Sequence, residues 1–203
     1  MKKNLLISIW MTIATTILFG LIYPLLVTGL AQLIFPHKAN GELIREDGQV
    51  VGSALIGQGF TTSAYFHSRP SATSPIAWDA SNSAGSNLGP TNHVLIDRVK
   101  TDVATDETDN PGKPVPIDLV TTSASGFDPD ITPAAAEFQL SRVAKERGIT
   151  VDQLRALVGK HTAGRQLDFL GEPRVNVLEL NLDLDQQFPM TKRAAVDNPA
   201  NPK

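Results

Sequence analysis

The sequence predicts an α+β protein: one N-terminal transmembrane helix followed by a single mixed α/β domain on the outer side of that membrane. Three observations predict it. No Asp, Glu, Lys, Arg or His occurs from Asn4 to Pro36. An Asp47-Gly48 pair separates two largely apolar runs. Thr132-Pro133 and Gly148 bracket an apolar stripe of helical spacing, and Thr150 with Gln153 opens a second one.

The uncharged run decides the architecture. A bilayer core needs about 20 mostly apolar helical residues. This run supplies roughly 30, on the order of 45 Å of helix, so it can cross with tilt and still pass one interface. A cleaved signal peptide is the first alternative, because Lys2 and Lys3 precede the run and Val27-Thr28-Gly29 offers small residues. Its apolar core would be only about 7–15 residues long, whereas this one continues to Phe35. A buried core helix is the second alternative, but such helices are shorter and polar on one face. Within the run, Thr12, Thr15, Thr16, Gly20 and Thr28 are of the kind that let helices approach closely in lipid. Pro24 removes a backbone hydrogen bond and predicts a kink.

The resulting organisation is a cytoplasmic N-terminus over 1–4, a transmembrane helix over 5–35, an α+β domain over 36–190 and a disordered tail over 191–203. About 165 residues outside lipid suit one compact domain. Removing Lys2 and Lys3 from the net charge of −3 leaves −5. A mildly acidic remainder argues against nucleic acid or anionic lipid as a partner. The chain has no cysteine, so neither a disulfide frame nor thiolate chemistry is available. Lys2, Lys3 and the terminal amine precede the span, while Lys38 and Arg45 after it are diluted by Glu42, Glu46 and Asp47. The positive-inside bias therefore puts the N-terminus in the cytoplasm and the domain outside.

Beyond the span, Leu43–Glu46 and the run from Gln49 to Ile56 flank Asp47-Gly48, which predicts a hairpin because a type I′ turn needs positive φ at both central residues. The stretch from Ala72 to Asn92 is dense in Ser, Asn, Gly and Pro and reads as a long loop, functional or disordered. Trp78 within it is expected to dock the loop onto the domain or onto a partner. Leu95, Val99 and Val103 mark a helix from Asn92, and the acidic Asp106 to Pro116 stretch reads as a second loop. Residues Ile117 to Thr122 suit a short strand or a helical turn. Thr132 caps a helix with Pro133 at its first position and Gly148 just past its end. Thr150 and Gln153 form a capping box for the next helix. Val175 to Leu184 alternates like a strand, yet Val177, Leu180, Asn181 and Leu184 match helical spacing with Asn176 as cap, and the good helix formers favour a helix.

Catalytic machinery is sparse. The sequence has no Gly-x-x-x-x-Gly-Lys-Ser/Thr phosphate loop and no Gly-x-Ser-x-Gly nucleophile elbow. His37, His67, His93 and His161 show no spacing for a local metal site. No catalytic or metal-binding residue is assigned. Serines, histidines and aspartates occur separately, so a membrane-tethered hydrolase with a triad assembled by folding is the alternative function.

Several ordered segments resemble one family, the C subunit of the Kdp potassium-transporting ATPase of bacteria and archaea. They are Gly52-Ser53 with Leu55-Ile56-Gly57-Gln58, Tyr65-Phe66 with Arg69-Pro70-Ser71, and Ser86-Asn87-Leu88-Gly89-Pro90-Thr91-Asn92. The run from Pro116 to Pro129 follows, then Gln139, Arg142-Val143-Ala144, Arg147-Gly148, Leu170-Gly171-Glu172-Pro173 and Val175-Asn176-Val177-Leu178. Phe127 departs from the pattern, which has Leu there, and keeps an apolar side chain. The resemblance implies a single-pass inner-membrane subunit with a periplasmic domain. It implies assembly with a channel-like potassium-binding subunit, a P-type ATPase subunit and a small membrane peptide subunit. Members are described as catalytic chaperones that raise the ATP affinity of the ATPase subunit. The resemblance thus implies ATP only through the partner, with Ser125, Gly126, Asp128, Gln139 and Arg142 as candidates for partner or nucleotide contact. An outward-facing domain cannot touch cytoplasmic ATP, so an effect on ATP affinity would have to cross the membrane allosterically.

The orientation is directly testable. Protease added outside intact spheroplasts is expected to digest the domain and leave the span; a fully protected domain would reverse the topology.

Overall fold

The computed structural model describes residues 2–190. Met1 and the tail expected over 191–203 lie outside the described residues. The chain is mixed helix and strand, and it divides into two compact units, Met1–Ser53 and Ala54–Lys203.

The first unit begins with a continuous helix over Lys2–Ile34, long and apolar enough to cross a membrane, with none of its most apolar window buried against the rest of the chain. It comprises α1 (Lys2–Thr15), a π-helical stretch (Thr16–Ile22) and α2 (Tyr23–Ile34). The disturbance expected from Pro24 takes the form of this wider winding: Tyr23 N–H bonds the Leu18 carbonyl, five residues back. A π-bulge lets the helix continue where a proline removes a donor. Three hydroxyls are satisfied locally, Ser8 donating to the Asn4 carbonyl, Thr12 to Ser8 and Thr15 to Met11. Such back-bonding removes the cost of an unpaired donor in lipid. After α3 (Pro36–Ala39), β1 (Leu43–Glu46) and β2 (Gln49–Ser53) form the expected antiparallel hairpin. Asp47 and Gly48 supply its two positive φ angles, 49° and 79°, as a type I′ turn requires.

The second unit contains α4 (His93–Glu107), α5 (Ile117–Val120), β3 (Asp130–Ile131), α6 (Pro133–Arg147), α7 (Val151–Lys160), β4 (Thr162–Ala163), β5 (Arg174–Asn176) and α8 (Val177–Gln187). The three strands are antiparallel in the order β3-β5-β4. Local chemistry sets the helix ends. Thr132 accepts from Ala135 N–H, Pro133 opens α6, and Gly148 closes it in the left-handed region at φ 67°. Thr150 and Gln153 make the reciprocal capping box of α7. Asn92 caps α4 and Asn176 caps α8.

Two expectations need refinement. The helix α4 continues through Asp106 and Glu107, which read as loop. Acidic residues at a helix C-terminus cost only about 0.3–1 kcal/mol, and the Arg98–Asp102 pair at 3.0 Å supports the turn before them. The alternating run from Val175 is divided: Arg174–Asn176 completes the sheet, and α8 then follows. In α8 the buried positions Val177, Leu178, Leu180, Asn181 and Leu184 follow helical spacing, not alternation. Residues Ile117–Val120 resolve as a helical turn.

The core joins α6, α7, α8 and β5. Ala135, Ala136, Leu140 and Val143 meet Leu154 and Leu157, Val175, Leu180 and Leu184, all at most 3% exposed. Tyr65 and Phe66 are equally buried although they belong to no strand or helix. Buried irregular backbone must find partners for its N–H and C=O groups. Phe66 finds both on Asn181: its N–H donates to Oδ1 at 2.9 Å and its carbonyl accepts from Nδ2 at 2.9 Å.

Asn181→Leu removes both partners while filling a similar volume. Leaving two buried backbone groups unpaired is expected to cost about 3 kcal/mol, or about 10 °C in Tm for a domain of this size. Thr150→Ala, which loses one exposed cap, should cost about 1 kcal/mol. Thermal melts of the two variants showing equal losses would contradict this ranking.

Candidate functional site

The backbone from Ser63 to His67 is held by side chains from α6 and α8. Gln139, buried on α6, accepts His67 N–H at 2.7 Å and donates to the His67 carbonyl at 3.2 Å. Arg142, one turn on, donates to the carbonyls of Ser63 and Tyr65 at 2.7 and 2.9 Å. Its remaining nitrogens donate to Gln139 Oε1 at 2.6 Å and pair with Asp109 at 3.0 Å. At the end of α6, Arg147 donates to the Ala64 carbonyl, pairs with Asp185 at 2.8 Å and lies over the Tyr65 ring at 4.6 Å. The Tyr65 hydroxyl donates to the same Asp185 at 2.8 Å. Burial, then that hydrogen bond, hold the phenol above its ordinary pKa.

Beside this segment lies a cleft of about 340 Å³. Phe60, Trp78 and Phe138 give it aromatic walls, and Gln139 and Arg142 line it together with His67, Asp106 and Asp109. Arg142 is the cleft's sole permanent cation. Burial lowers its pKa despite Asp109 and Asp106, yet a guanidinium stays charged throughout the accessible range. Burial, reinforced by Arg142, pushes His67 below the ordinary imidazole value, so it stands neutral at pH 7. Burial, reinforced by Asp109 and Asp102, pushes the Asp106 carboxyl up to about 6.

Trp78 reaches the cleft from the long polar loop, which is pinned rather than loose. Its backbone lies in the left-handed region at φ 55°, and its N–H donates to Ser71 Oγ at 2.9 Å. The indole packs so closely on Gly59 that a Cβ there would stand 2.8 Å from Cε3. The docking role expected of this indole is thus fulfilled on the chain's own surface.

Of the five candidates for partner or nucleotide contact, the cleft brings together Gln139 and Arg142 and does not include Ser125, Gly126 or Asp128. Those three lie in the loop between α5 and β3, where Ser125 and Gly126 fasten the polar loop. The Ser125 carbonyl accepts from Ala84 N–H and Ser83 Oγ, both at 3.1 Å. The Gly126 carbonyl accepts from Ser71 Oγ at 2.6 Å. Gly126 has φ 81°, and a Cβ there would meet the Ala84 carbonyl at 2.5 Å, so no other residue fits without movement. Asp128 pairs with Arg69 at 3.2 Å, and Arg69 also donates to the Thr121 carbonyl.

Among the described residues no group of three or more His, Cys, Asp or Glu is placed to hold a metal ion. His67 bonds the Thr62 carbonyl and His161 bonds Asp183. Neither meets a serine hydroxyl, so the arrangement a membrane-tethered hydrolase would need is not supported. Sequence reasoning missed the roles of Asn181, Arg147 and Asp185. The available signal was a polar Asn181 at the helical spacing of Val177, Leu180 and Leu184.

Comparison with known proteins gives a consistent answer. The family described as "KdpC: K+-transporting ATPase, c chain" matches residues 5–186. The potassium-transporting ATPase KdpC subunit of Koribacter versatilis is 63% identical over 190 residues, covering 94% of this chain and 98% of that one. Those of Rhodopseudomonas palustris and Methylobacterium nodulans are 57% and 52% identical, covering 91% and 92% of this chain and 98% of each relative. The chain belongs to the KdpC family, the c chains of K+-transporting ATPases.

Proposed function

We propose that this chain is a non-catalytic assembly and regulatory subunit of an ATP-driven, high-affinity potassium importer. Its partners are a channel-like potassium-binding subunit, a P-type ATPase subunit and a small membrane peptide subunit. Its span sits in the plasma membrane with the N-terminus in the cytoplasm and packs against partner helices. Its α+β domain stands outside, over the outer mouth of the potassium pathway. The subunit raises the ATP affinity of the ATPase subunit by allosteric coupling through the assembled complex rather than by touching ATP.

One observation carries this reading. All three terminal nitrogens of Arg142 are engaged by main-chain carbonyls, Gln139 and Asp109. The one guanidinium lining the cleft is thus committed to partners within the chain, while carboxylates line the cleft. Nucleotide recognition needs the opposite: free donors and positive charge. A cleft of this character, among the described residues, favours action through contacts with other subunits. The π-wound span supports the same view, because small residues and proline breaks suit packing between helices.

Two measurements test it. Deleting the chain from cells is expected to abolish ATP-driven potassium uptake at low external potassium; uptake at the parental rate would sink the assembly role. Calorimetric titration of the full-length chain in nanodiscs with ATP is expected to give no binding tighter than about 1 mM. Saturable micromolar binding to the isolated chain would replace the allosteric route with direct contact.

A further inference from the structure

The cleft holds a carboxylate with no ion pair of its own among the described residues. Asp106, half-buried at the end of α4, makes no ion pair among the described residues. Arg142 is near enough for its charge to act on Asp106 but is committed elsewhere, its guanidinium pairing with Asp109 at 3.0 Å and donating to Gln139 and two carbonyls. Two carboxylates beside one guanidinium, with His67 neutral, leave an excess of one negative charge when Asp106 is ionised.

The walls narrow the ligand chemistry. Trp78, Phe60 and Phe138 line the same cleft. The indole is set in place by a strained backbone, by the bond to Ser71 and by a glycine that no larger residue could replace without displacing it. Strain held by surrounding structure is characteristic of functional positions. Aromatic faces next to a carboxylate recognise organic cations, whose alkyl part prefers the rings and whose charge meets both the π-face and the anion. A bare alkali or divalent ion instead asks for a shell of oxygens, which aromatic walls do not provide. An anion is disfavoured by the charge balance. A volume of about 340 Å³ is ample for one long side chain.

We propose that this cleft receives a basic side chain, the ammonium of a lysine or the guanidinium of an arginine, presented by a partner subunit of the potassium-transporting complex, with Asp106 as its counter-ion and Trp78 as its aromatic wall. The charge complementarity of the cleft selects this occupant. The proposal rests on the assembly role given above and adds to it the contact chemistry. Receiving the cation completes an ion pair that the isolated chain lacks.

The test uses the full-length chain in nanodiscs with Trp10→Phe, so that Trp78 is the sole indole. Nα-acetyl-lysine amide and Nα-acetyl-arginine amide are titrated against Trp78 emission, with Nα-acetyl-norleucine amide and KCl as controls at matched ionic strength. A saturable change is expected with the two basic probes only, and Asp106→Asn should weaken it by about tenfold or more. Binding should also fade as pH drops below about 6, where Asp106 takes up a proton. The groups that face it are Asp102, which pairs with Arg98, Asp109, which pairs with Arg142, and His67, whose pKa burial lowers. An equal response to norleucine amide or KCl, no response at all, or an unaltered response in Asp106→Asn overturns the proposal.

Folding is checked separately. Above pH 6 Asp106→Asn should melt at or above the parental Tm, because it removes a charge that burial disfavours; near pH 4 the two should coincide. The final arm is pull-down of the partner subunits by the full chain. Asp106→Asn and Asp106→Lys are expected to reduce recovery progressively. Parental recovery by both, with probe binding intact, would mean that the cleft takes a free amine, which overturns the partner contact while leaving the assembly role standing.

Discussion

The second unit depends on the pairing of one buried, irregular stretch of backbone. From Ser63 to Ser68 the chain enters the core without becoming a strand, so its amide groups cannot rely on a ladder. Asn181 from one side and Gln139 from the other each donate and accept, reproducing with a side-chain amide what a neighbouring strand would offer. Arg142 and Arg147 then take the remaining carbonyls. An unpaired buried amide costs about 1–3 kcal/mol, so these clamps decide whether Tyr65 and Phe66 can occupy the core at all.

The same clamps shape the cleft. Arg142 ties Asp109, Gln139 and the Ser63–Tyr65 carbonyls into one cluster, which fixes the cleft wall and neutralises one of the two carboxylates beside it. The polar loop supplies the opposite wall by carrying Trp78 over Gly59. Its own path is set by the Ser125 and Gly126 carbonyls and by Ser71. Ser125 and Gly126 thus hold the loop that brings an aromatic face to the cleft, while Asp128 pairs with Arg69.

How much of this was legible follows the range of each interaction. The long apolar helix, the Asp47-Gly48 hairpin, the Thr132 cap with Gly148 and the Thr150–Gln153 box all arise from residues close in sequence, and each is read from the sequence as it stands in the structure. The division at Asn176 was obscured because Leu178, Leu180, Leu182 and Leu184 mimic alternation, and only pairing with Ile131 and Thr162 marks Val175 as strand. The extension of α4 was hidden by acidic residues that local dipole arguments disfavour. The clamps were illegible: Asn181 and Phe66 are 115 positions apart, and nothing local links them.

Side-chain clamps differ from a sheet ladder in one further respect. A strand can slide past its neighbour by two residues and recover all its hydrogen bonds with the same face inward. Phe66 on Asn181 and His67 on Gln139 have no such second solution, because each amide grips one residue of the stretch and the two grips come from different helices. The stretch therefore has a single register. Inserting or deleting a residue between Ser63 and Ser68 cannot be absorbed by slippage, so the spacing of this segment is as binding a constraint on the chain as the identity of its residues.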